Sequence, residues 1–174
     1  MSVYFYGCVT LDSYLADKRH GLDWLHQTGS AEETGYECFY RNMDVTLMGR
    51  RTFEEIVGLE DAASIYPTTE NYVFTHRERL PQPGFIPVSG SVPEFVTALG
   101  ADKNIWVIGG NTILAPLLER DMVDRLIIQV APVLLGEGIP LFTQKEGLRR
   151  FCLDEVGRYG QFAELVYSKK SEDR

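Results

Sequence analysis

Apolar residues fall in short runs along this chain, each broken by glycine, proline or a polar turn, and the spacing within the runs changes repeatedly between strand and helix periods. "VYFYGCVT" (3–10) predicts an opening strand, and the polar, glycine-punctuated stretch from 11 to 30 predicts a long loop. Ser30 or Thr28 is placed to cap a helix over 31–42 that presents Tyr36, Phe39, Tyr40 and Met43 on one face. "VTLMG" predicts a strand and "RTFEEIVG" a helix ending at Gly58, followed by strands at "NYVFT" and at "FIPVSG", the latter weakened by Pro87. "SVPEFVTALG" carries its own helix signals: a capping box from Ser91 to Glu94, Pro93 in the first turn and Gly100 past the end. A strand at 105–108, a helix at 111–119, a strand at 125–131 and a glycine-rich turn come next, and the tail reads as a hairpin turning near Tyr159 and Gly160. Pro116 conflicts with the helix at 111–119, where a proline removes an internal hydrogen bond; the helix either starts later or is kinked.

Strands and helices alternate until a hairpin closes the chain. The expected fold is therefore α/β, a mostly parallel sheet with helices on both faces and an antiparallel C-terminal edge. The 174 residues, 44% of them apolar, suit one domain spanning 1–174. No apolar run is long enough to cross a bilayer as a helix, and the N-terminus lacks the marks of a signal peptide. Three scattered cysteines, Cys8, Cys38 and Cys152, point to free thiols in a reducing compartment, so the expected location is cytoplasmic. A net charge of −8 without a basic stripe argues against nucleic acid as a partner. The histidines lack helical metal-site spacing; only His20, Asp23 and His26 could share an ion, and no metal is expected.

Three strand-to-helix joints carry candidate chemistry, since ligands of α/β sheets gather at strand carboxyl ends and helix N-termini. At "LMGRRTFE", Gly49 permits a tight turn, and Arg50 and Arg51 stand where a helix macrodipole disfavours cations. They are either surface arginines paired with Glu54 and Glu55 or partners of a polyanion. At "VFTHRERL", Thr75, His76 and Arg77 close another strand. At "IWVIGGNTIL", Gly109 and Gly110 allow close backbone approach, and Asn111 and Thr112 offer donors at a helix start. The six-residue dinucleotide fingerprint is absent, but one ligand with several phosphates would account for all three joints.

"LMGRRTFEEI", "YVFTHR" and "IWVIGGNTIL" resemble dihydrofolate reductase, while "VTLDSYLAD" and "QVAPVLLGEGIPLF" look more like the C-terminal reductase domain of the bifunctional riboflavin-biosynthesis protein. With "GLDWL" and "GYECFY", the combination over about residues 3 to 168 resembles stand-alone bacterial members of the dihydrofolate-reductase-like superfamily. The resemblance implies a three-layer αβα fold and NADPH as cofactor. It implies phosphate contacts at Gly49, Arg50, Arg51 and Thr52, 2′-phosphate contacts at Thr75, His76 and Arg77, and pyrophosphate packed on Gly109, Gly110, Asn111 and Thr112, with a cis Gly109–Gly110 bond. On the substrate side it implies an acid on the first helix, a position that falls on Glu33 by ungapped spacing and on Gly35 with a short gap, with Glu32 and Glu37 as neighbours, and an active-site tryptophan at Trp24. Riboflavin-type reductases carry "LDGK" where this chain has "LDSY", and a glutamate where this chain has Ile108; Asp12 remains as a candidate at the floor of the site. The expected activity is hydride transfer to a small pterin-, pyrimidine- or related heterocycle, by a homodimer joined near "RLIIQVAPVLL". Reduction of the phosphorylated riboflavin precursor and nucleotide binding without turnover are the alternatives.

Overall fold

The computed structural model describes residues 1–30, 34–58, 65–143 and 147–170. Ten strands are formed: β1 (Ser2–Thr10), β2 (Tyr14–Ala16), β3 (Val45–Gly49), β4 (Glu70–Phe74), β5 (Phe85–Val88), β6 (Asn104–Gly109), β7 (Arg125–Ala131), β8 (Ile139–Pro140), β9 (Phe151–Tyr159) and β10 (Phe162–Lys169). The helices are α1 (Asp23–His26), α2 (Tyr36–Tyr40), α3 (Arg50–Val57), α4 (Val92–Ala98) and α5 (Asn111–Glu119). Eight strands form one sheet in the order β5-β4-β3-β6-β1-β7-β10-β9, and β2 pairs with β8 apart from it. Every pairing in the large sheet is parallel except β10 with β7 and with β9, so the antiparallel edge is the C-terminal hairpin.

Side chains alternate across the strands and divide the core between two faces. Val3, Phe5, Val45, Leu47, Ile105 and Val107 pack with Val92 and Val96 of α4 and with Ile113, Leu114 and Leu117 of α5. On the opposite face Tyr6, Met48, Val73 and Trp106 pack with Phe53 and Ile56 of α3, and Tyr36, Phe39 and Tyr40 of α2 lie against them. This is the three-layer arrangement of dihydrofolate-reductase-like proteins. α5 begins at Asn111 with Pro116 inside it, so the helix does not start later. Its buried Ile113, Leu114, Leu117 and Leu118 each contribute roughly 1.5–3 kcal/mol of burial, which outweighs the roughly 3 kcal/mol cost of an internal proline.

Four expectations change. The stretch 11–30 holds strand β2 and helical turn α1: Asp17 ties its bend by accepting from the N–H groups of Arg19 and Gly21, and β8 gives β2 a partner. Thr28 caps no helix start, because its hydroxyl donates back to the Trp24 carbonyl at the end of α1. The helix expected over 31–42 is α2 within the described residues; it starts after Gly35 with no side-chain cap. Finally, the apolar run from Arg125 is no edge. β7 lies between β1 and β10, whereas Leu134, later in the same run, is 71% exposed.

Candidate functional site

The carboxyl ends of β3, β4 and β6 open into a cleft of about 1440 Å³, which all three sequence-identified joints line: Gly49 to Thr52, Thr75 to Arg77 and Gly109 to Thr112. The parallel register makes these joints neighbours, since Gly49 pairs with Phe74 and Met48 with Gly109. A Cβ built on Gly49 would lie 3.7 Å from the Thr112 hydroxyl and 3.9 Å from the Gly110 nitrogen.

The two glycines of the third joint have different reasons to be glycine. Gly109 has φ of 143°, a backbone region that disfavours any side chain, and the Gly109–Gly110 peptide is cis. Gly110 has an ordinary φ of −80°, and a Cβ there would meet no protein atom within 4 Å. The protein itself therefore does not crowd this position; the space belongs to the cleft. Gly110 is also the N-cap of α5 and Gly49 the N-cap of α3; neither helix has a side-chain cap or an acidic residue in its first turn. Uncapped starts leave backbone N–H groups and the positive helix end available to an anion. α4 contrasts with them: Ser91 accepts from the Glu94 N–H.

The arginines are partly neutralised. Arg50 Nε lies 3.1 Å and Arg77 Nη2 3.6 Å from one oxygen of Glu54, so two cations from different joints share a single carboxylate. Both are about half exposed, where ion pairs contribute little. Among the described residues Arg51 pairs with no acid; its guanidinium contacts the His20 ring, which the Asp17-tied bend holds at the cleft. Three arginines near uncapped helix starts make this end of the cleft a fit for phosphate groups.

The other end is aromatic. Tyr6, Tyr36, Tyr66 and Trp106 line it, with ring centroids 5.4 to 6.5 Å from Trp106. Burial pushes the Tyr36 hydroxyl up to about 12 and the Tyr6 and Tyr66 hydroxyls further still, so all three stay neutral donors at physiological pH. Beneath the rings is a buried polar network. Gln129 Nε2 lies 2.9 Å from the Tyr6 hydroxyl and 2.9 Å from Glu164 Oε2, and Tyr6 is also hydrogen-bonded to Thr34. Cys8, beside Gln129 in the register, has its thiol pushed up to about 12 by burial.

The remaining sequence candidates are placed differently. Glu33, with Glu32, lies outside the described residues. Asp12 does not line the cleft: its carboxylate accepts from the Thr10 hydroxyl at 2.6 Å, from the Gly136 N–H at 2.7 Å and from the Leu135 N–H, pinning the loop after β7. Trp24 is buried against Ala131 and Phe162, its indole nitrogen without a hydrogen-bond partner, and it too is absent from the cleft wall. Glu37 is exposed and paired with Arg41. Among the described residues no group of His, Cys, Asp and Glu could hold a metal ion. Sequence reading missed Tyr6, Gln129 and Glu164. The available signal was a polar residue interrupting an apolar strand, Gln129 in "RLIIQVA" and Glu164 in "FAELVY".

A profile of the RibD C-terminal domain matches residues 3–163. The uncharacterized protein YwjB of Bacillus subtilis (strain 168) is 30% identical over 167 residues, covering 93% of this chain and 94% of that protein. A second protein of that bacterium, the uncharacterized YyaP, is 28% identical, covering 77% of this chain and 76% of its own. Among solved structures, a Shewanella sp. PV-4 protein provisionally named for riboflavin biosynthesis superposes with a TM-score of 0.86 at 27% identity, covering 98% of this chain and all of that one. Acinetobacter baumannii RibD superposes with a TM-score of 0.75 at 17% identity; the match covers 97% of this chain but 58% of RibD, and it speaks for the fold alone.

Proposed function

This chain belongs to the RibD C-terminal domain family, and from that premise we propose that it is an NADPH-dependent reductase acting on a small pterin-, pyrimidine- or related heterocycle. The observation that carries the reading is the polarity of one cleft: arginines and uncapped helix starts at one end, stacked aromatic rings over a polar floor at the other. NADPH, when bound, supplies a hydride to a C=N or C=O bond of the ring.

The residues of this chain then divide the work. The N–H groups at the starts of α3 and α5 hold phosphate oxygens, and the bare backbone of Gly110 lets the dinucleotide approach. Arg50 and Arg77 take the 2′-phosphate, and Glu54 keeps the two guanidinium groups oriented for it. Tyr36 and Trp106 flank the heterocycle and exclude water. The proton that must accompany hydride transfer comes from Glu33 in this proposal, because Asp12 spends its carboxylate on the loop at 135–136. Tyr14 and Ile108, standing where riboflavin-type enzymes carry lysine and glutamate, weigh against the phosphorylated riboflavin precursor as substrate.

The deciding experiment compares dissociation constants for NADPH and NADH. The wild type should prefer NADPH by roughly ten- to a hundred-fold, the value of charge-assisted bonds to one extra phosphate, and Arg50→Ala should erase most of that preference. Equal affinities in the wild type would end the NADPH assignment. A homodimer is part of the proposal, joined near "RLIIQVAPVLL", where Leu134 is 71% exposed; the edge strand β9, with Leu153 56% and Val156 63% exposed, is a second apolar surface for it. Sedimentation giving only the 19.7 kDa species at micromolar concentration would remove it.

A further inference from the structure

Gln129, Tyr6 and Glu164 stand on three neighbouring strands, β7, β1 and β10, and form the polar floor under the aromatic end of the cleft. Gln129 and Glu164 are cross-strand partners, both buried, at 5% and 8% exposure. A buried amide, phenol and carboxyl inside a sheet are costly unless each is satisfied and used. None of the phosphate joints touches them.

We infer that Gln129 reads the edge of the substrate ring, accepting a hydrogen bond from a ring N–H through its amide oxygen, and that Glu164 and Tyr6 hold the amide in that orientation. The inference rests on the reductase reading only in assigning this end of the cleft to the substrate. The orientation follows from donor counting. A primary amide nitrogen has two hydrogens, and Nε2 has two partners at 2.9 Å, the Tyr6 hydroxyl and a Glu164 carboxylate oxygen. A carboxylate only accepts, so the atom facing it must be nitrogen. Gln129 lines the cleft, and among the described residues its side-chain bonds are both made by Nε2, which leaves the oxygen for a ligand. That oxygen accepts and cannot donate. The ring that fits must bring an N–H to it, and the flanking Tyr36, Trp106 and Phe162 require that ring to be flat. The ligand class is a planar lactam or imide heterocycle, and a ring N-alkylated at that edge leaves the buried oxygen unmet.

The test uses the full chain and two rings, lumazine and its N-dimethylated form, titrated calorimetrically with and without saturating NADP⁺. Wild type should bind lumazine roughly ten- to a hundred-fold more tightly than the dimethylated ring. Gln129→Leu should weaken lumazine by a similar factor and leave the dimethylated ring within about twofold. Glu164→Gln frees the amide to turn and should lower the ratio of the two affinities while NADP⁺ binding stays at the wild-type value. Equal affinities for the two rings in wild type, binding of neither ring, or equal losses for both rings in Gln129→Leu would each overturn the assignment. The wild-type ratio decides on its own if a variant does not fold. Dinucleotide binding is measured separately: its failure strikes the reductase reading, while the titrations without NADP⁺ still judge Gln129.

Discussion

At the arginine end of the cleft, the working groups come from the joints where strands end and helices begin. Gly49 and Gly109 end β3 and β6, Arg50 to Thr52 and Asn111 to Thr112 open α3 and α5, Thr75 to Arg77 follow β4, and Arg50 and Arg77 keep about half their surface in water. At the floor of the other end they come from mid-strand: Tyr6, Gln129 and Glu164 lie inside β1, β7 and β10 and are buried. The difference has an energetic consequence. An exposed joint residue can change with little cost to the core, so its substitution tests binding alone. A buried, hydrogen-bonded strand residue couples binding to stability, because an abandoned partner costs roughly 1–3 kcal/mol.

The contrast predicts separable phenotypes. The largest concerns the proton at the aromatic end. Glu33→Gln should lower turnover by roughly 10²–10⁴-fold while NADPH affinity stays near wild type; steady-state kinetics beside a binding isotherm would check this. Unchanged turnover would move the acid elsewhere. Next comes Arg50→Ala, with the roughly ten- to a hundred-fold weakening of NADPH described above, little change for NADH and an unchanged melting temperature.

The paired glycines sharpen the comparison within a single joint. Gly109→Ala forces a side chain onto φ of 143° and should cost about 1–3 kcal/mol of stability, visible as a melting temperature lowered by several degrees. Gly110→Ala meets no protein atom, so its melting temperature should stay near wild type while NADPH binding weakens. If both substitutions lower stability equally, the open space at Gly110 is not reserved for a ligand.

The smallest effect is confined to acid. The Thr10 hydroxyl first, then the N–H groups of Gly136 and Leu135, hold the Asp12 carboxyl below the usual aspartate range. The folded protein therefore binds this proton less readily than the unfolded chain. The stability contributed by Asp12 is present above the unfolded value of about 3.9 and is lost as pH falls through the lower folded value. Asp12→Asn should flatten that part of a urea-unfolding series taken across the acid range, with the slope near neutrality unchanged.

Read locally, the chain determined most of its elements and all three strand-to-helix joints that line the cleft. The alternation of Val3, Phe5 and Val9 with Tyr4, Tyr6 and Cys8, the Ser91 cap and the Gly49 and Gly109 turns are decided by residues within a few positions of one another. Local steric and hydrogen-bonding rules suffice for such features. Even so, an internal proline did not stop α5, because four apolar side chains docked on the sheet outweigh one missing bond. What only the tertiary structure decided depends on partners far apart in the chain. The hold of Leu135 and Gly136 on the Asp12 carboxylate reaches across more than a hundred residues. Within "RLIIQVAPVLL", the part that forms β7 is closed in by β1 and β10 on both sides, while Leu134 beyond it stays 71% exposed. Tyr6, Gln129 and Glu164 are 123 and 35 residues apart along the chain, and no short window contains the network they form. Sheet order alone brings them together, because strand neighbours in this fold are set by which long crossovers bury the most apolar surface, a quantity summed over the whole chain.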